Sequence, residues 1–156
     1  MRLAALLAGL LALAALQPAA AQNVTVARLD GPVRTIDLAM VKRLPPVQDH
    51  LSFLTGHGSE AATCAGALLW SLLDQAGTLG ADPRPRVRLV VLVTGRDGYA
   101  AVLALAELDP AFEGKKVVLA YRRDDGPMPG QGLRLVVPGD RRGGRSVRDV
   151  VRIEIR

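Results

Sequence analysis

Apolar residues along this chain fall into short runs, and the period of each run predicts an element. Val87-Arg88-Leu89-Val90-Val91-Leu92-Val93-Thr94 is a β-branched run of strand length. It reads as a strand buried on both faces. Gly95-Arg96-Asp97-Gly98-Tyr99 ends it with two glycines and an aspartate, a turn signal. Residues 100–108 then space their apolar side chains as a short helix would, with Asp97 as a candidate cap. Asp109-Pro110 stops that helix, since proline cannot continue it and restricts the residue before it. Lys115-Lys116 leads into a second strand, residues 117–121. The stretch from Val87 to Tyr121 thus predicts two buried strands around a polar turn and a helix. Such a turn on a rigid base is where a binding site is expected.

The flanking segments carry weaker patterns. Residues 24–29 predict a strand, Asp30-Gly31 a hairpin turn and residues 33–36 its return. Asp37 is placed to cap a short helix over residues 38–43, closed by Pro45-Pro46. Residues 50–54 read as a third strand. Residues 55–63, Thr55-Gly56-His57-Gly58-Ser59-Glu60-Ala61-Ala62-Thr63, read as a polar loop. Residues 66–76 give the clearest helix, with Leu68, Leu69, Leu72, Leu73 and Ala76 on one face and Gly77 as its C-terminal cap. A long turn is expected over residues 122–130, a strand over 133–137 and a charged loop over 140–144. Residues 150–155 alternate, which predicts a closing strand with one polar face. Short strands mixed with two or three short helices make an α+β domain with a mixed sheet.

The first 21 residues stand apart. Arg2 precedes an alanine/leucine run over residues 3–16, and Pro18 with Ala19-Ala20-Ala21 supplies a break and a small-residue cleavage pattern. This predicts a secretory signal peptide over residues 1–21, cleaved before Gln22, and a periplasmic or secreted domain over residues 22–156. The run is shorter than the roughly 20 apolar residues of a membrane span, so no span is expected after cleavage. No cysteine directly follows it, which argues against a lipid anchor.

Charge narrows the partners. The chain carries +5 at neutral pH, of which Arg2 supplies one, and only 3% of its residues are aromatic. Nucleic-acid readers cluster their cations and interleave aromatics, so that class is rejected. Local basic groups remain suited to a small anion. Cys64 is the only cysteine. It has no internal disulfide partner and is either a buried thiol or a reactive one. No G-x-S-x-G, P-loop, H-E-x-x-H or paired C-x-x-C occurs. The histidines, His50 and His57, make no triad with Ser59 and Asp49 at any recognised spacing.

Three stretches, in order, resemble one family. They are Gly66-Ala67-Leu68-Leu69-Trp70-Ser71-Leu72-Leu73-Asp74-Gln75-Ala76-Gly77; Asp97-Gly98-Tyr99 with Leu105-Ala106-Glu107-Leu108; and Leu133-Arg134-Leu135-Val136-Val137-Pro138-Gly139 with Ser146-Val147-Arg148. Together they are similar to the oxidoreductase molybdopterin-binding domain, the sulfite-oxidase fold, over residues 24–155. The resemblance implies a compact α+β unit with polar loops at one end of the sheet. Those loops hold a molybdenum or tungsten pyranopterin for two-electron oxygen-atom chemistry. A pterin phosphate calls for arginine, hydroxyls and backbone N–H groups. By the resemblance, Arg134 matches the family arginine, and Ser146 with Arg148 matches a serine-x-lysine pair, arginine replacing lysine. Thr55 and His57 complete the expected cofactor-binding set.

Two departures accompany the likeness. The family's metal-binding cysteine lies well upstream of the glycine matched by Gly66, where this chain has Leu54-Thr55-Gly56. A histidine often found before the family arginine is absent from residues 127–133. A hydroxyl such as that of Thr55 is a poor substitute for a soft thiolate at molybdenum. Two functions therefore follow: an exported protein binding a molybdopterin-type cofactor or related anionic ligand, or a non-catalytic periplasmic binding or interaction module. Each residue also has a plainer reading. His57 is then an exposed loop histidine, Arg134 a salt-bridged strand residue, and Ser146 and Arg148 the start of the last segment. Trp70 and Tyr99 are then core aromatics, and Arg141, Arg142 and Arg145 a solvated basic loop.

Overall fold

The structure, a computed structural model, describes residues 22–124 and 126–156. The expected signal peptide lies outside the described residues. Two five-stranded sheets make up the fold. Sheet A comprises β1 (Asn23–Arg28), β2 (Val33–Asp37), β5 (Val90–Gly95), β6 (Ala100–Ala104) and β10 (Val150–Ile155), in the order β2-β1-β10-β5-β6. Only β1 and β10 run parallel. Sheet B is antiparallel, with β3 (Pro46–Thr55), β4 (Gly58–Leu68), β7 (Val118–Arg123) and β8 (Gly126–Pro127) in order, and β9 (Arg134–Val136) also paired with β7. Among the described residues three short α-helices join them: α1 (Leu38–Arg43), α2 (Leu69–Gln75) and α3 (Leu105–Leu108).

Alternation in the strands decides where the core sits. Val24, Val26, Val91, Val93, Leu103, Ile153 and Ile155 point from sheet A into the main core. They meet Leu69, Leu72 and Leu73 of α2, and Ala67, Leu119 and Leu135 from one face of sheet B. The other face of sheet B carries a second cluster, in which Leu51, Phe53, Ala62 and Cys64 pack with Val118, Ala120, Met128 and Val136. Strand β9 and residues 118–120 of β7 are thus buried on both faces. The opposite face of sheet A is exposed, and Arg152, Glu154 and Arg156 form a charged row on it.

Several expectations hold at residue level. Met40 N donates to Asp37 Oδ1 at 2.7 Å, so Asp37 caps α1. Gly77 follows α2 with φ +69, and its N–H donates to Asp74 O. The last strand forms and buries Ile153 and Ile155 with Arg152 and Glu154 on the other face, while a bulge between Val150 and Arg152 breaks the expected alternation at its start.

Four expectations are corrected. Residues 55–63 are not a loop: Gly56 and His57 alone connect β3 to β4, a hairpin in register from Pro46↔Ala67 to Thr55↔Gly58. The helix expected from Gly66 begins at Leu69, because residues 66–68 pair with β7. Residues 100–104 form β6, paired with β5, and only residues 105–108 are helical. The central run is not buried on both faces, since Val90 is 37% and Val102 on its partner strand 52% exposed. Alanine-rich segments carry strong helix propensity, and here cross-strand pairing overrides it.

Gly66 sits where β4 passes closest to β7, beside a bulge between Ala65 and Gly66. A Cβ there would lie within 2.6 Å of the carbonyl carbon of Leu119 and the Cα of Ala120. Those atoms are backbone and cannot swing aside. Gly66→Ala should therefore destabilise by about 3 kcal/mol, the upper end of overpacking costs. Urea denaturation measures it, and an unchanged midpoint would mean that the two strands separate freely.

Candidate functional site

The β3–β4 hairpin, the 140–145 loop and the β5–β6 turn converge. Thr55 Oγ1 donates to Gly58 O at 2.9 Å and accepts from His57 N at 3.1 Å, which holds the two-residue turn shut. Gly58 takes φ +119, a conformation that favours glycine. Leu54 N donates to Arg141 O at 3.0 Å, drawing the 140–145 loop alongside the hairpin. Gly143 lies against the Phe53 ring, where a Cβ would come within 2.6 Å of it. From the β5–β6 turn, the Tyr99 hydroxyl donates to Gly144 O. Asp97 Oδ1 accepts from Tyr99 N at 2.9 Å. Asp97 therefore braces this turn and caps no helix.

Two adjoining cavities result. The outer one, about 490 Å³, is lined by Thr55, Tyr99, Arg134, Arg142, Ser146 and Arg148 among others. The inner one, about 280 Å³, is lined by Glu60, Arg123, Met128, Arg134, Arg148 and Asp149 with Pro129. Arg134 and Arg148 belong to both. Four of the five expected site residues, Thr55, Arg134, Ser146 and Arg148, thus share one cavity wall. His57 does not: it is exposed at the hairpin tip and lines neither cavity.

Arg134 enters from β9, opposite Ala120 in β7, and is 5% exposed. Its Nε donates to Ser146 Oγ at 2.8 Å, and Ser146 Oγ donates to Leu135 O at 3.1 Å. Its Nη1 donates to Glu60 Oε1 at 2.8 Å. Arg123 Nη1 donates to the same oxygen at 2.6 Å. The Arg134 guanidinium also lies 5.6 Å from the Phe53 ring centre. The hydrogen bond from Arg134 is the main force holding the Glu60 carboxyl below its ordinary value of 4.5; burial opposes it, and the Arg134 and Arg123 charges reinforce it. Arg142 and Arg148, by contrast, have no ion-pair partner among the described residues.

The expected basic loop divides. Arg142 faces the outer cavity, whereas Arg145 pairs with Asp140 and reaches Glu107 at 3.6 Å. Tyr99 is 51% exposed and belongs to the cavity mouth, not the core. Trp70 does pack against the main core. Sequence reasoning missed Glu60 and Arg123. Glu60, Ala62 and Cys64 share a period of two, a signal hidden once the segment was read as a loop.

No family model and no curated protein matches this chain. Among solved structures it resembles the sulfane dehydrogenase SoxCD from Paracoccus pantotrophus, with a TM-score of 0.68 at 17% identity. The match covers 86% of this chain and spans 38% of that one. At such identity the likeness shows the fold alone: α+β, of the sulfite-oxidase type.

The sequence resemblance raises a molybdenum pyranopterin as the expected cofactor, and the donor set matches one end of such a group. Arginines, hydroxyls and the Gly143-Gly144 backbone suit a phosphate. The metal end does not fit. Cys64 is fully buried in the second cluster and lines neither cavity. No group of three or more His, Cys, Asp or Glu among the described residues is placed to hold a metal. Burial pushes the Cys64 thiol up, against the pull of Arg134 and Arg123, so it is held as the unreactive neutral form.

Two outcomes follow. Glu60→Gln leaves the buried Arg134 without a counter-charge and should cost about 3 kcal/mol at neutral pH. Because the folded-state pKa of Glu60 is lowered, its contribution is complete above 4.5 and fades as pH falls through the folded value. Urea denaturation of both proteins should then show a gap that narrows below pH 4.5; a constant gap would show that the charge is immaterial. Thiol reagents should modify Cys64 only upon unfolding, and rapid labelling of the native protein would contradict its burial.

Proposed function

We propose that this chain is an exported, non-catalytic binding module on the sulfite-oxidase fold. It receives a small anionic ligand at the outer cavity. The observation that carries the reading is the convergence of Arg142 and Arg148, unpaired among the described residues, on a cavity shared with Thr55, Arg134 and Ser146. Guanidinium groups hold oxyanions through paired N–H donors, and the adjoining Gly143-Gly144 segment adds backbone to the wall. Export is read from the composition of residues 1–21. With no thiolate at the cavity, redox chemistry at a metal has no soft ligand to begin from.

A molybdopterin-type cofactor is the second reading, favoured by the phosphate-like chemistry of the same wall. A module that docks a periplasmic protein is the third. Protein purified from the periplasm separates them. Substoichiometric molybdenum is expected, with no pterin fluorescence after oxidation. Phenyl phosphate should bind in calorimetry, about tenfold more weakly after Arg148→Ala, the loss of one charge-assisted contact. Stoichiometric molybdenum with pterin would establish the second reading. An absence of both metal and phosphate-ester binding would leave the third.

A further inference from the structure

The two cavities share Arg134 and Arg148 but differ in the anions around them. Glu60 and Asp149 line the inner cavity, while the outer one has Asp97 alone. Asp97 already accepts from Tyr99 N.

Glu60 is positioned as a bound oxyanion would be. One of its oxygens receives Nη1 of Arg123 at 2.6 Å and Nη1 of Arg134 at 2.8 Å. The other lies 3.5 Å from Arg134 Nη2. The carboxylate comes from the chain itself, on the inward face of β4, and is 16% exposed. Ser146 takes the Nε of the same guanidinium, so the edges of Arg134 nearest the cavities are occupied.

We infer that Glu60 is a resident anion that fills the seat between Arg123 and Arg134. It closes the inner cavity to external oxyanions and so sets the charge of the ligand. The anionic group of that ligand docks at Arg142 and Arg148 in the outer cavity. Two such cations against a single committed aspartate fit one phosphate monoester. The half-exposed Tyr99 ring, fixed through its hydroxyl to Gly144, stands beside that position for an aromatic substituent. The ion pairs keep Glu60 charged at neutral pH, so the seat stays filled under ordinary conditions.

The inference rests on the reading of the cleft as an anion receptor, and one experiment distinguishes the two. Calorimetry with inorganic phosphate and with phenyl phosphate is run on the wild type and on Glu60→Gln. Neutralising Glu60 leaves the charges of Arg123 and Arg134 uncompensated and should tighten binding of an added anion by at least about tenfold, the worth of one more charge-assisted contact. Binding to the wild type with no gain in the variant overturns the role of Glu60 and leaves the receptor standing. Binding to the variant alone supports the resident anion and defeats the receptor. No binding to either overturns both. If Glu60→Gln does not fold, arginine Nε–H resonances of the wild type are followed through the phenyl phosphate titration. Arg142 and Arg148 should shift while Arg123 and Arg134 stay still; an equal shift at Arg134 overturns the inference.

Discussion

A chain of four side chains, Ser146–Arg134–Glu60–Arg123, ties together the parts of this protein that form the cleft. It runs from the segment before β10, through β9, to β4 and the end of β7. A guanidinium as buried as Arg134 is tolerated only when its charge and donors are met. Glu60 and Ser146 meet them, and each can do so only if its own strand or loop is in place. The requirement propagates outward: β4 must present Glu60 inward, which sets its register against β3. The 143–145 turn must present Ser146, which brings Arg142 beside the hairpin. The polar end of the fold is therefore organised from within, by satisfying one arginine.

Local signals along the chain were enough for elements whose own residues decide them. Asp37 as a helix cap, Gly77 as a stop and the alternation of residues 152–155 are of that kind. They failed where partners far along the chain decide. The segment Ala61-Ala62-Thr63-Cys64-Ala65 has few β-formers, yet it is extended because β3 pairs with all of it and β7 with Cys64 and Ala65. Ala100-Ala101 is extended because β5 pairs with it. The site followed the same division. Arg134, Ser146 and Arg148 were reached through their likeness to a family, whereas Glu60 and Arg123 meet across 63 positions and carry no adjacent cue.

Cys64 and the cleft are separate in this chain. The thiol sits two positions before the crossing at Gly66, on the same sheet face as Arg134, but it is sealed beneath Leu51, Phe53 and Met128. In that surrounding it serves as a small apolar filler. The arginines and hydroxyls that would greet a phosphate remain open to the cleft. What lines the cleft is guanidinium and hydroxyl, chemistry suited to holding an oxyanion.

The pairing of β1 with β10 has a consequence for how the molecule assembles. The earliest strand and the latest lie side by side, as Thr25↔Arg152 through Arg28↔Ile155, at the centre of sheet A. Closing that contact means closing the long stretch between Thr25 and Arg152 into a loop, which is slow compared with forming a local hairpin. The β3–β4 arm can form early and alone, while sheet A stays open until its final strand arrives. Until then the row of valines and isoleucines that later faces α2 has no cover, and this interval is when the protein is most exposed to self-association.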